Sequence, residues 1–411
     1  MNRLLLAIIL SLCTYTTALA QWVSVTNPQN KALHSVFFIN STTGFTCGDT
    51  ATVLKSTNGG SSWFSINSGI PSSVNLTDIA FLDQNTGYCT GGLGSISGKI
   101  YKSTNGGVNW VQKYDTSGTG FRTLFFVNVN TGWVVGAGGV IKFTSNGGDS
   151  WLPRDVNISS LTDVYALSED TVFVSGFGSG GSIVKSTNGG VNWTFTSVPG
   201  DFADFKFVMF VNSSTGYAGG LKFGGNGIMG KTTNKGLNWT TLTGYVSATP
   251  YEAANVTDDL VYVVRTDDTV SVTTDGGITW SKQYAQTGGF DKSISVKNGL
   301  GVTAGRNLAI NTTVGIHILS SEIPGDFSLK QNYPNPFNPS TSIEFSVPQK
   351  SFVKLIVYNV LGQEVKTLLN EVKEPASYKV DFSAISLPSG VYFYKLEAEG
   401  FIETKRMILV K

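Results

Sequence analysis

One eight-residue segment, present six times, constrains this chain more than any other feature. Ser56-Thr57-Asn58-Gly59-Gly60-Ser61-Ser62-Trp63 returns at Ser103–Trp110, Thr144–Trp151, Ser186–Trp193, Thr232–Trp239 and Thr273–Trp280, always as Ser/Thr-x-Asn/Asp-x-Gly-x-x-Trp. Successive tryptophans are 47, 41, 42, 46 and 41 residues apart. A period of this size marks an array of supersecondary units, none of which buries its apolar face alone. The residue types describe a turn. Asn58, Asn105, Asn146, Asn188, Asn234 and Asp275 are placed to accept a backbone N–H two residues on and close an Asx-turn. Glycine supplies positive φ at little cost. Trp63, Trp110, Trp151, Trp193, Trp239 and Trp280 then lay a large apolar face over a strand pair.

Between the turns the chain reads as strands. Leu76–Phe81, the strand opened by Thr86-Gly87-Tyr88, Gly98–Lys102 and Trp110–Tyr114 make four antiparallel strands in about 40 residues, the content of one propeller blade. Charged residues are 14% of the chain and glycines number 48, which suits an all-β protein dense in tight turns. Lys292–Val296, Gly299–Val302 and Leu308–Asn311 repeat the first three strands without a turn box, while Trp22-Val23-Ser24-Val25 is an outer strand without a blade. Joining the two ends predicts a seventh blade that closes the ring and removes its free sheet edges.

The boxes resemble the Asp-box, or BNR, repeat of sialidases and many secreted propellers, with Asn in place of the family's Asp in five of six copies. The Thr-Gly-aromatic step, as in Asn130-Thr131-Gly132-Trp133, is similar to the propellers of photosystem II assembly-factor-like proteins. Both resemblances imply fold, with the boxes in structural roles; neither carries a function with it.

The chain begins as an exported protein would. Arg3 precedes an apolar run from Leu4 to Leu12, and Ala18-Leu19-Ala20 offers a small-x-small cleavage site before Gln21, so residues 1–20 are expected to be a signal peptide. No later run is long and apolar enough for a transmembrane helix. The remaining cysteines, Cys47 and Cys89, fall one position apart in matching strands, so their thiols should face opposite ways and stay unpaired as small buried hydrophobes. A net charge of +1 leaves no basic face for nucleic acid.

Composition changes near residue 322. The propeller is expected over 21–321, a Pro-rich linker and extended entry to the C-terminal domain over 322–340, and an immunoglobulin-like β-sandwich over 341–411, with alternating strands such as Val353–Tyr358 and Val391–Leu396. Gln331–Pro339, Tyr358–Val365, Leu387–Tyr392 and Met407–Lys411 together resemble the type A sorting domain of the type IX secretion system of Bacteroidetes and relatives. That resemblance implies the secretion machinery as a partner, passage across the outer membrane, and release or attachment at the cell surface.

Chemistry is sparse. A sialidase needs an arginine trio, and the propeller offers Arg122, Arg154, Arg265 and Arg306, with Arg154 on an outer strand. Asp78 and Asp163 are candidate carboxylates for a glycosidase pair, yet they hold the same place in their first strands, which points to a repeated structural job. His34 and His317 are the only histidines, and no Cys/His spacing suits a metal. No cofactor is expected. Aligning the first strands puts His34, Thr77, Arg122, Thr162, Lys206, Glu252 and Lys292 in one register, on the channel face opposite the boxes. This ring is the candidate seat for an anionic or polar ligand, with His34, Arg122, Lys206, Glu252 and Lys292 as binding residues. The sequence favours a non-enzymatic surface protein for an unknown glycan or protein, with a polysaccharide-active hydrolase as the alternative.

Overall fold

The computed structural model describes residues 22–410 apart from 93–96, 178–179, 246–247, 285–291, 298, 312–315, 321–322, 374 and 385–386. The expected leader over 1–20 lies outside the described residues.

Seven four-stranded antiparallel sheets form the blades of a propeller. Their inner strands are Leu33–Phe38, Asn75–Phe81, Phe121–Phe126, Ser160–Ala166, Phe202–Phe210, Pro250–Asn255 and Ser293–Lys297, numbered here as blades 1 to 7. Each inner strand lies against those of both flanking blades, blade 7 against blade 1 included. Second strands such as Gly44–Gly48 and Gly132–Gly136 are buried along their whole length, because neighbouring blades cover both faces. The Thr-Gly-aromatic step has a steric cause. A Cβ on Gly44, Gly87 or Gly132 would come within 2.5, 2.6 and 2.6 Å of the rings of Phe38, Phe81 and Phe126, which close each inner strand.

The ring closes as expected. Val23–Val25 pairs antiparallel with Leu308–Ile310 and becomes the outer strand of blade 7. Trp22 is fully buried among Leu260, Tyr262, Val264 and Val270 of blade 6 and Ile294 and Ala309 of blade 7. Its indole N–H donates to Gln283 Oε1 at 2.8 Å. Trp22 thus stands where each box tryptophan stands, just before an outer strand and between its own blade and the preceding one.

The C-terminal unit is a sandwich of two four-stranded sheets over one core that includes Phe345, Val353, Leu355, Tyr378, Tyr394 and Met407. Its limits differ from the sequence expectation. Ile316–Ser320 pairs with Ala376–Ser383, and Ser328–Leu329 pairs with Phe345 and Ser346, so strands within 21–321 and 322–340 belong to the sandwich. The linker composition hid them: a two-residue strand has no period to read, and Ile316–Ser320 follows so soon on blade 7 that it passes for part of it.

Candidate binding site

The boxes are one turn made six times. In the first, the Ser56 hydroxyl donates to Asn58 Oδ1 at 3.0 Å and accepts the Gly60 N–H at 2.9 Å, while Asn58 Oδ1 accepts the Ser62 N–H at 3.0 Å. The same three bonds recur around Asn105, Asn146, Asn188, Asn234 and Asp275. The expected turn is corrected in one respect: the Asx oxygen takes the N–H four residues on, and the Ser/Thr hydroxyl fills the shorter loop. Trp63, Trp110 and Trp280 donate to the carbonyl of their own box glycine, and Trp193 donates to the Arg154 carbonyl. Every box tryptophan packs against its own blade and the one before it; Trp110, for example, meets Phe45 and Val53 of blade 1 and Leu76 and Phe81 of blade 2.

A second fastening, which the sequence reading missed, accompanies four of the boxes. Lys55, Lys102 and Lys231 lie over Phe45, Tyr88 and Tyr217 and donate to the carbonyls of Gly106, Gly147 and Gly276, in the box of the next blade. Lys185 does the same over Phe173 to the Lys235 carbonyl. The lysine three residues before the box Asx is the signal that marks this fastening in the sequence, since it recurs at four of six boxes.

At the opposite face the inner strands carry β-bulges. Leu33 pairs with Gly48 and Ser35 with Cys47, which leaves His34 as the extra residue, turned out of the ladder. Thr77, Arg122, Thr162 and Lys206 are the extra residues of blades 2 to 5. Arg122 is exposed. His34 Nε2 bonds Asp49 Oδ1 at 2.8 Å and its Nδ1 lies 3.1 Å from Lys292 Nζ. Burial lowers the pKa of both His34 and Lys292. Lys206 is paired with Asp204. Glu252 departs from the expected ring. In blade 6 Pro250 pairs with Arg265 and Glu252 with Val264, so Tyr251 takes the bulge and Glu252 moves one step inward. Sequence alignment without the bulge placed it one residue off.

That inward step holds a second ring, at the waist of the channel. It contains Ser35, Asp78, Thr123, Asp163, Glu252 and Ser293. Inner strands of neighbouring blades splay apart, so their facing N–H groups need side-chain acceptors. Ser293 Oγ accepts the Val36 N–H at 3.0 Å, Asp163 Oδ2 the Val208 N–H at 2.9 Å, and Glu252 Oε2 the Ile294 N–H at 3.2 Å. Asp78 is saturated: Oδ1 accepts Ser35 Oγ at 2.7 Å and the Ile79 N–H at 2.9 Å, and Oδ2 accepts Thr123 Oγ1 and the Leu124 N–H at 2.9 Å each. Desolvation in the channel raises all three carboxyls, Asp163 to about 7 and Glu252 to about 8, with repulsion from Asp78 adding to it at Asp163 and repulsion from Asp78 and Asp163 adding to it at Glu252.

The remaining candidates are elsewhere. Arg265 is buried, with Asp267 and Ser271 as partners and Tyr245 beneath its guanidinium. Arg154 lies over Phe143. His317 lies in a stretch whose side chains are outside the described set. Cys47 and Cys89 are unpaired and buried, which pushes both thiols well up. Among the described residues no cluster of three or more metal-ligating side chains occurs.

A propeller with a polar bulge ring at one mouth, followed by a sandwich, is the class this architecture defines. Residues 331–411 match the family described as the secretion system C-terminal sorting domain, which implies delivery through the type IX machinery. No curated protein matches the sequence. Among solved structures, YCF48 bound to D1 peptide is similar at a TM-score of 0.58 and 17% identity, covering 72% of this chain and 96% of that one. YCF48 from Cyanidioschyzon merolae gives 0.57 and 17%, over 71% and 99%. The WD40 repeats of RRP9 give 0.57 and 11%, over 71% and 97%. At such identities the likeness is one of propeller fold.

Proposed function

We propose that this chain is an exported, non-enzymatic binding propeller of the Asp-box kind, carried across the outer membrane by its sorting domain and active at the cell surface or in the medium. The observation that carries this reading is the division between the two channel rings. The waist ring, where carboxylates could have formed a catalytic pair, spends its oxygens on backbone N–H groups of neighbouring blades. The charged side chains of the mouth ring take no part in that work; at His34, Arg122 and Lys206 a bulge turns the residue out of the ladder. Arg122, Lys206 and Lys292 give that mouth a cationic character suited to an anionic glycan or an acidic peptide segment, with the His34 imidazole beside them as a polar group. The binding of a peptide by the similar propeller YCF48 fits the same reading.

One observation favours a second reading. Asp163 and Glu252 have pKa values raised into the range of a general acid, as in a polysaccharide hydrolase. A glycan array probed with the purified protein, read for both binding and sugar release, separates the two. Binding that weakens in the double charge reversal Arg122→Glu/Lys206→Glu supports the mouth ring. Unchanged binding in that variant removes the ring from the reading, and sugar release replaces it with the hydrolase.

A further inference from the structure

The sorting domain ends in an edge strand, and its own chain covers that edge unevenly. Phe401–Leu409 pairs with Gly390–Ala398 and borders its sheet. Along such a border the N–H and C=O of alternate residues point away from the sheet. Here the outward residues share the parity of Arg406, Ile408 and Val410. The Arg406 carbonyl accepts Gln331 Nε2 at 2.7 Å and Asn335 Nδ2 at 3.3 Å. The Ile408 N–H donates to Asn335 Oδ1 at 2.9 Å and its carbonyl accepts the Phe337 N–H at 2.9 Å. The Val410 N–H donates to the Phe337 carbonyl at 3.0 Å. The Pro-rich segment from Gln331 to Phe337 is therefore a strand surrogate for half the border, partly by side chains because proline lacks an N–H.

The main-chain cover stops there; at the Phe401–Glu403 end the chain supplies side-chain contacts alone, the Leu329 N–H donating to Glu403 Oε2 at 3.2 Å and Phe327 stacking on Phe401. Among the described residues, no group meets the outward N–H and C=O of Ile402 and Thr404, and the Ile402 side chain is 72% exposed. An open border is complementary in hydrogen bonding to one kind of partner, another extended backbone. Natural sheets leave such borders open rarely, and guard them against their own kind with inward-facing charges. Glu403 and Lys405 are such charges, paired with each other at 2.8 Å on the core-facing side of this strand. They disfavour a second copy of the chain as the occupant. The region matched to the sorting family begins at Gln331, the first residue of the cap, and runs through the terminal strand, so cap and border both belong to the part that the machinery handles.

We propose that the backbone border Ile402–Arg406 is where the secretion machinery adds an extended strand of its own, with the Gln331–Phe337 cap fixing where that strand ends. The proposal rests on the export reading above. Its test is Thr404→Pro in the full chain, expressed in the native host. Proline at an outward position removes an N–H that the sheet does not use and leaves the ladder to Gly390–Ala398 intact. The expected result is a folded protein, with an unchanged thermal midpoint for the sandwich, that is exported about tenfold more slowly and collects in the periplasm, as the loss of one main-chain bond and a steric clash at the docked strand require. Export of Thr404→Pro at the wild-type rate overturns the proposal. Removal of 331–411 runs in parallel: normal export of that deletion means the sorting reading has failed, not the strand border alone. If Thr404→Pro unfolds the sandwich, hydrogen exchange on the wild-type chain held by isolated machinery decides instead. Protection gained at Ile402, Thr404 and Arg406 supports the strand, and unchanged exchange there removes it. A dimer in solution that Thr404→Pro dissociates assigns the border to a second copy and overturns the proposal as well.

Discussion

Lys235 is the one irregular residue in an otherwise uniform turn. The fourth box position has φ of 68, 69, 64, 67 and 68° at Gly59, Gly106, Gly147, Gly189 and Gly276, and Lys235 is forced to 59° in the fifth box. A side chain in the left-handed region costs about 1–2 kcal/mol, offset in part by the greater freedom glycine has when unfolded. Lys235 also lowers the pKa of nearby Lys185, a like-charge cost second to burial. Lys235→Gly should therefore stabilise the propeller by about 0.5–1 kcal/mol, read as a higher denaturant midpoint at unchanged slope. A lower midpoint would mean that the lysine side chain makes a contribution larger than its strain. Glu252 permits a prediction of opposite character. Its pKa rises from the ordinary 4.5 to about 8 on folding, chiefly through burial, so the folded protein holds a proton that the unfolded chain releases. Stability from this group is complete below about pH 4 and is lost as the pH climbs through 8. Glu252→Gln keeps an oxygen for the Ile294 N–H and cannot ionise. It should match the wild type at pH 5 and exceed it at pH 9 by on the order of 2 kcal/mol. Parallel stability curves for the two proteins across that range would show that the carboxyl is better solvated than its surroundings imply.

At the scale of elements, what the sequence shows depends on how local the cause is. The box turn was legible because all its partners lie within eight residues, and the blade count followed from its repetition. The bulges are not legible, since an extra residue exists only relative to the partner strand; simple register therefore puts Glu252 among the mouth residues although it faces the waist. Glu364–Lys373 escaped for a different reason. It is an edge strand of the sandwich whose Lys, Asn and Glu residues carry little strand preference, and its pairing with Ser351–Tyr358 supplies what propensity lacks. The Pro-rich segment reads as an extended entry because prolines exclude a helix; its partner is not legible, since Asn335 binds a strand more than seventy residues away in sequence. Asn335→Ala should leave the Ile408 N–H and half the Arg406 carbonyl unmet and cost the sandwich about 1–2 kcal/mol. Faster amide exchange at Ile408 with no change in the propeller would locate that loss; equal exchange would mean that water replaces the amide without cost.

The molecule as a whole depends on joining its two ends. Six blades are fastened by a box tryptophan, and the seventh by Trp22, which arrives from the other end of the propeller with a three-residue strand behind it. Closure thus spans nearly three hundred residues, and the entropy of forming so long a loop must be met by a small set of contacts: three strand pairs, the buried indole and its bond to Gln283. Loss of the indole acts on both blade 6 and blade 7. Trp22→Ala should cost about 3–5 kcal/mol, the ordinary range for a buried tryptophan, and the effect should not stay local. With the closing strand loosened, the Leu308–Asn311 border of blade 7 is bared, and an exposed border promotes association between molecules. The same substitution at Trp151, which also bridges two blades but sits inside the continuous chain, should lower stability without opening the ring. The measurement is thermal unfolding of both variants with light scattering recorded alongside. Aggregation below the unfolding midpoint in Trp22→Ala alone identifies closure as the weak point of the propeller. Equal behaviour of the two variants would mean that the strand pairs of Val23–Val25 hold the ring without the indole.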